Sequence, residues 1–366
     1  MSAATERAPR VLVSGVVLGQ PPGGVRRHNA ELLPRAARLL AARGGRLALM
    51  EGSTPVAFDL PPQVERLRSS VPARPPLARA TLEGRWLRRL IASAREPFDL
   101  VHLGHVPVPR RLPLPYALTI HDLRALELQH SPMSRRLFGS QIIGRAAARA
   151  AAVVTVSETV RASLIGRFRL DPGRVFIVPN AADHLEPAPR APGPDAPLLH
   201  VGHLEPRKNV ELLVRALAHD PGLPPLLLAG AAKGDEGRRL AELARGLGVA
   251  ARVRFHGPFE DGELPRLYAA AACVVLPSRL EGFGLAAIEA QRAGVPLAVS
   301  RAGALCEVAG AETPAFDPDD VSGCARAVRA ALVLSPAALE RAREHAARFT
   351  WDRSAAELVR AWTFAR

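Results

Sequence analysis

Two carboxylates, Glu281 and Glu289, stand eight positions apart around the turn Glu281-Gly282-Phe283-Gly284. The apolar run Cys273 to Leu276 leads into this turn and a helical pattern follows it. Leu285, Ile288 and Ala293 supply the buried face, and Gly294 and Pro296 close the helix. A helix that starts beneath a Gly-rich turn presents free N–H groups and the positive end of its dipole, which suits phosphate. Carboxylates cannot neutralise phosphate. The two acids are suited instead to accept hydrogen bonds from hydroxyls, one on a ribose and the other on a sugar, with a pyrophosphate between them. On spacing alone, a strand–turn–helix with a capping glutamate weighs about equally.

Two further groups have types and places that suit chemistry. Ala117 to Ile120 is an apolar run ending at His121-Asp122, which puts both side chains at the carboxyl edge of a sheet, where open α/β folds bind ligands. A histidine there reads equally as structural or as facing a ligand. Val11 to Val17 reads as a buried strand, followed by the loop Gly19-Gln20-Pro21-Pro22-Gly23-Gly24 and an amphipathic helix from about Val25 to Arg43. This strand–loop–helix also reads as a ligand-facing edge, but GxGxxG spacing is absent, so a nicotinamide site is not supported.

The elements that must position these groups alternate. Strands are expected at 46–50, 99–103, 152–156 and 175–178, with a helix from Ser157-Glu158 to about Phe168. The Pro- and Arg-rich region Pro61 to Arg89 yields no order. Ser134 to Ala152 is helical, its Leu137, Ile142 and Ile143 interleaved with Arg135, Arg136, Arg145 and Arg149. This face reads as solvated or, with less weight, as a contact for anionic lipid. Glu186 to Pro197 holds five prolines in twelve residues and reads as a linker. Strands then recur at 198–201, 225–229, 252–255, 273–276 and 296–299, between helices at 209–219, 236–247, 262–271 and 284–293. A last helix covers 355–362. The expected fold is α/β: two Rossmann-like, doubly wound parallel-sheet domains facing a central cleft, the natural ligand site. The domains are expected at 1–185 and 198–345 around the 186–197 linker, with a helix in 346–366 crossing back to the first.

A chain of 366 residues with 48% hydrophobic residues is long enough for two cores. No run of about 18 uncharged apolar residues exists, and the N-terminus lacks a signal-peptide pattern, so a cytoplasmic protein is expected. Cys273, Cys306 and Cys324 are scattered without metal or disulfide spacing, and two of them fit buried positions. The net charge of +14 is spread along an Arg-rich, Lys-poor chain without interleaved aromatics. It argues for a phosphate-bearing substrate or an anionic membrane surface rather than nucleic acid.

The second half also contains Val201-Gly202-His203-Leu204-Glu205-Pro206-Arg207-Lys208-Asn209, Leu305-Cys306-Glu307-Val308 and Phe316-Asp317-Pro318. Together with Glu281–Glu289, Val178-Pro179-Asn180 and His121-Asp122, these resemble the retaining GT-B glycosyltransferases of family four, which includes many mannosyl- and rhamnosyltransferases. The resemblance implies a hexosyltransferase that needs neither metal nor cofactor and takes a nucleoside diphosphate sugar as co-substrate. Its acceptor would be a glycan or lipid-linked hydroxyl, reached in the cytoplasm or at the inner face of the membrane. By that resemblance Glu281 contacts the donor sugar and Glu289 the ribose. Lys208, with Arg207 beside it, meets the pyrophosphate. The backbone of Phe283, Gly284 and Leu285 meets the sugar and distal phosphate, and Gly202 and His203 line the donor. His121 reaches the transferred sugar, and Gly23 and Gly24 let the first domain approach donor phosphates or acceptor.

Three positions depart from the family pattern: His203 stands where many members have Arg, Ala181 where glycine is usual, and Cys306 where proline is usual. None removes a charged donor contact. The competing readings are an epimerase or phosphorylase on the same architecture and a non-catalytic nucleotide-sugar-binding partner. A phosphorylase needs a cofactor lysine, and Lys208 is already assigned. The non-catalytic reading is opposed by the intact Glu281, Glu289, Lys208 and His121. The sugar and base stay open, with a GDP-linked mannose-type donor favoured by the Glu-Pro-Arg-Lys-Asn variant.

Overall fold

The protein is described by a computed structural model, which covers residues 7–20, 23–123, 126 and 133–366, with the backbone alone for 133–136. Pro21 and Pro22 of the expected glycine loop, the first six residues, and the side chains of Arg135 and Arg136 lie outside the described residues. The chain forms two compact units, Met1–Asn180 with Trp351–Arg366, and Ala181–Thr350.

Among the described residues the first unit has a seven-stranded sheet of order β3-β2-β1-β4-β5-β6-β7. Its strands are β1 (Arg10–Gly15), β2 (Arg46–Glu51), β3 (Glu65–Arg68), β4 (Leu100–Leu103), β5 (Tyr116–Thr119), β6 (Ala152–Thr155) and β7 (Val175–Ile177). Every pairing is parallel, with Leu12 opposite Ala48 on one side and Val101 on the other. Val11, Leu12 and Val13 are all buried, as expected of a central strand covered on both faces. Among the described residues the helices of this stretch are α1 (Gly24–Ala41), α2 (Pro76–Ser93), α3 (Met133–Arg149) and α4 (Glu158–Phe168). Ser157 caps α4 by accepting from the Val160 N–H.

The unordered region resolves into β3 and α2. β3 is a mostly exposed, charged edge strand, the kind that resists further pairing. α2 hides its amphipathic signal because its buried face carries Arg79 and Glu83 beside Ala80, Gly84 and Leu87.

The second unit has a six-stranded parallel sheet of order β10-β9-β8-β11-β12-β13. Its strands are β8 (Leu198–Val201), β9 (Leu226–Ala229), β10 (Val253–Gly257), β11 (Cys273–Leu276), β12 (Leu297–Ser300) and β13 (Ala315–Phe316). The helices are α5 (Glu211–His219), α6 (Glu236–Gly246), α7 (Leu264–Ala270), α8 (Leu285–Arg292), α9 (Leu305–Ala309), α10 (Val321–Leu332) and α11 (Pro336–Ala347). Residues 186–197, expected as a linker, form neither helix nor strand but belong to this unit. Arg190 Nη1 donates to the Tyr268 and Ala271 carbonyls at 2.9 and 2.6 Å. Both sheets reverse their strand order, the first between β1 and β4 and the second between β8 and β11, and such switch points open a crevice at the carboxyl ends.

The last helix, α12 (Trp351–Ala365), is longer than the expected 355–362 and belongs to the first unit, where it packs on α1 and β6. Trp362 Nε1 donates to His102 Nδ1 at 3.0 Å, so His102 carries its proton on Nε2, 3.2 Å from Thr119 Oγ1. Cys273 and Cys324 are buried and Cys306 is exposed, and burial first, then the nearby Asp320 charge, pushes the Cys324 thiol up to about 12.

Candidate functional site

At the switch point of the second sheet, β8 runs out at Val201 and hands over to Gly202, whose φ of +137° favours a residue without Cβ. A Cβ there would lie 3.8 Å from Lys208 Nζ, so the chain passes directly beside the ammonium group. The short helix Pro206–Lys208 follows and ends at Asn209 in the left-handed region. Asn209 Nδ2 donates to Pro277 O at 3.1 Å and Pro318 O at 2.8 Å, and the Arg279 N–H donates to Arg207 O at 2.8 Å. These bonds fasten the Arg207-Lys208 loop to the loop after β11.

Glu281 is where the two loops meet. Its carboxylate accepts from Lys208 Nζ, from Ser278 Oγ at 2.8 Å and from Arg207 Nη1 at 3.3 Å. Arg207 also pairs with Glu205 at 2.7 Å, and Lys233 reaches Glu205 at 3.1 Å. Burial alone would raise the Glu281 pKa. Lys208 and then Arg207 outweigh it, and with the bonds from Lys208 and Ser278 they hold the carboxyl below its usual range. Glu205 is depressed in the same way: burial opposes, and Arg207 and Lys233 prevail. Half-buried His203 has its pKa lowered by burial and then by Lys233.

The turn ends at Gly284, which takes φ +94° and has Leu305 Cδ2 2.5 Å from where a Cβ would be. α8 then starts with no side-chain cap and no acidic residue in its first turn, leaving its dipole end to an anion. The Phe283 side chain points away into the core, edge-on to Phe349 at 5.7 Å, so only its backbone can line the site.

Glu289 is 5% exposed inside α8 and has different partners from Glu281. Tyr268 Oη donates to Oε2 at 2.8 Å, and His184 Nε2 lies 3.3 Å from Oε1. Gly202, Arg207, Lys208 and Glu281 are therefore brought together, while Glu289 occupies a separate buried pair of contacts. Ser278, Glu205, Tyr268 and His184 were not singled out from sequence. For Ser278 a signal exists, since it stands three residues before Glu281 as a capping serine would.

In the first unit His121 follows β5, as expected, and meets the ring of His28 edge-on at 4.7 Å. His28 Nδ1 lies 2.7 Å from Asn180 Oδ1, which makes Nδ1 the donor. Burial, then the nearby His121, brings the His28 pKa down to about 3, so its ring is neutral. Gly23 and Gly24 are exposed at the start of α1, with open space where a Cβ would be.

Residues 183–349 match the family model described as glycosyl transferases group 1, and residues 22–184 match that of glycosyltransferase family 4. A D-inositol 3-phosphate glycosyltransferase of Geodermatophilus obscurus is 31% identical, over 100% of this chain and 90% of the relative. An O-antigen chain mannosyltransferase B of Escherichia coli is 28% identical, over 93% of this chain and 96% of the relative. Sucrose-phosphate synthase of Thermosynechococcus elongatus superposes with a TM-score of 0.79 at 21% identity, covering 96% of this chain and 97% of that one, which is a likeness of fold.

Proposed function

The chain belongs to the glycosyl transferases group 1, within glycosyltransferase family 4, and on that premise we propose that it moves a hexose from a nucleoside diphosphate donor to an acceptor hydroxyl, retaining configuration and using no metal. The observation that carries this reading is the cluster of Lys208, Arg207 and Glu281 beside the uncapped start of α8. Three cations (Arg207, Lys208, Lys233) meet two carboxylates (Glu205, Glu281) there, leaving one positive charge and a helix dipole for a diphosphate.

In the reaction Lys208 and Arg207 take up the charge that develops on the departing diphosphate. Glu281, released by Lys208, orients the sugar, and Glu289 exchanges a present partner for the ribose hydroxyls. His121 contacts the transferred sugar. The acceptor proton passes to the leaving phosphate oxygen on the same face, so no protein base is assigned.

A GDP-linked mannose-type donor is favoured by the Glu-Pro-Arg-Lys-Asn sequence and by the mannosyltransferase among the relatives. The acceptor is a glycan or lipid-linked hydroxyl. Among the described residues no helix is long and apolar enough to cross a membrane. We place the work in the cytoplasm, with the exposed Leu137 and Phe138 of α3 and its basic residues as a peripheral contact for anionic lipid. A thermal-shift panel of nucleoside diphosphates and their sugars tests the donor, and chelator-treated protein tests metal independence. Binding without hydrolysis or transfer would favour a non-catalytic nucleotide-sugar-binding protein.

A further inference from the structure

The first sheet has a switch point of its own, and its polar cluster is not used by the donor chemistry. β1 ends with Ser14 and Gly15, and His105 lies two residues beyond the end of β4. Glu83 of α2 comes between them with 0% exposure. Ser14 Oγ donates to Glu83 Oε1 at 2.5 Å, and His105 Nε2 lies 3.0 Å from both Glu83 oxygens. Arg79, one helical turn earlier, brings Nε to 4.0 Å from Glu83. Its Nη2 is committed to the Val106 and Pro107 carbonyls at 2.9 and 3.3 Å. Burial would raise the Glu83 pKa, but His105, Ser14 and Arg79 together hold it below the usual carboxylate range.

An ionised carboxylate only accepts, so the His105 proton is on Nε2, and in the neutral ring Nδ1 is a bare lone pair. That nitrogen is buried and has no hydrogen-bond partner, on a side chain 8% exposed. An idle buried acceptor is unfavourable unless something donates to it. A carboxylate behind an imidazole also fixes its tautomer and rotation, so the lone pair has a set direction.

We propose that His105 Nδ1 accepts a hydrogen bond from a hydroxyl of the acceptor substrate, a polyhydroxylated molecule of the sugar or cyclitol type. Glu83, Ser14 and Arg79 are positioning residues behind it. The inference rests on the sugar-transfer reading above and adds the acceptor's recognition to it. A lone pair repels an anion, and the guanidinium of Arg79 is tied to backbone carbonyls, so this place selects a neutral donor of hydrogen bonds. The phosphates of the donor substrate have their cations in the second unit instead.

Two substitutions separate recognition from mere support of Glu83. His105→Gln keeps an N–H donor near the Nε2 position but has no acceptor where Nδ1 was. His105→Asn keeps an acceptor near Nδ1 and loses the bond to Glu83. The full chain is assayed with the donor found by thermal shift and with myo-inositol, methyl α-D-mannoside and D-inositol 3-phosphate as acceptors. The expected result is transfer to at least one of them, with acceptor KM raised about tenfold in His105→Gln and clearly less in His105→Asn, while donor Kd is unchanged in both. The reverse order, an unchanged acceptor KM in both, or donor hydrolysis with transfer to none of the three overturns the inference. Should neither His105 variant fold, Ser14→Ala leaves the ring in place and is expected to raise acceptor KM about threefold, on the order of part of one hydrogen bond. An unchanged value there overturns it equally. Wild-type protein that binds no nucleotide sugar would sink the sugar-transfer reading itself, a result distinct from any of these.

Discussion

Lys208 and Glu281, 73 residues apart in sequence, are ion-paired with 16% and 11% of their side chains exposed. The two sides of the pair are not equivalent. Glu281 keeps Ser278 at 2.8 Å and Arg207 at 3.3 Å if the lysine leaves, so a diphosphate can draw Lys208 away without stranding a buried carboxylate. Lys208→Ala should therefore lower turnover by about 10²–10³-fold, the cost of one preorganised group that faces developing charge. Steady-state rates with saturating donor check this, and a rate within about twofold of wild type would remove the leaving-group role, since twofold is far below that range.

Gly303 packs against the backbone of Glu281. Its φ is +56°, and a Cβ would meet the backbone of Glu281, 2.7 Å from the nitrogen and closer to the oxygen, while the neighbouring Ala304 N–H donates to Glu281 O at 3.0 Å. Gly303→Ala should cost about 1–3 kcal/mol in stability through left-handed strain and the clash. It should also weaken donor binding by shifting Glu281. Urea unfolding and donor titration read the two effects separately, and a variant matching wild type in both contradicts this account.

The second unit was more legible in sequence than the first, for a physical reason. β8, β9, β11 and β12 are short apolar runs beside Gly or Pro, so they and the turn at Glu281 follow from patterning, whereas the two-residue β13 carries no such signal. In the first unit β3 is charged and exposed, and α2 buries Arg79 and Glu83, so periodicity gives no signal for either. What no pattern conveys is pairing across sequence. That Lys208 and Arg207 hold Glu281, while Glu289 goes to Tyr268 and His184, depends on which loops the strand order brings together. Where a side-chain cap exists, as at Ser157, the expected start of the helix agrees with the structure, while other helix ends differ by one to a few residues and α12 extends beyond the expected 355–362 along its burial against α1.

Trp362 anchors the last helix through one buried bond. Its Nε1 donates to His102 Nδ1 at 3.0 Å, and His102 is only 3% exposed. Trp362→Phe keeps most of the apolar surface but leaves that acceptor without its donor. The expected loss is about 1–3 kcal/mol, the cost of an unsatisfied buried group. Urea denaturation at pH 7.5 measures it, and a change within about 0.5 kcal/mol, the usual range for substitutions away from buried networks, would show that the bond contributes little.

Acid should weaken the fold well before carboxylates titrate. Burial, the leading cause in each case, brings His28 and His102 down to about 3 and His200 to about 4. Like-charge neighbours add to it: His121 beside His28, His28 beside His102, and Lys208 beside His200. A base with a depressed folded pKa stays neutral in the native chain, while the unfolded chain, titrating near 6.5, binds the proton first. Their contribution is thus complete above about pH 6.5 and is lost as pH falls toward 3 to 4, at up to ~1.4 kcal/mol per pH unit for each ring. Glu83 and Glu281, whose pKa values are lowered, add stability that disappears only below their ordinary 4.5. The slope between pH 6.5 and 5 therefore belongs to the histidines. His200→Leu isolates one of them, because it forfeits a single 3.3 Å bond to Val275 O and its Nε2 has no hydrogen-bond partner to lose. Urea unfolding at pH 7.5, 6 and 5 should show near wild-type stability at the highest pH and a slope shallower by about one ring's share, ~1.4 kcal/mol per pH unit at most. An unchanged slope would mean that His200 accepts a proton without unfolding.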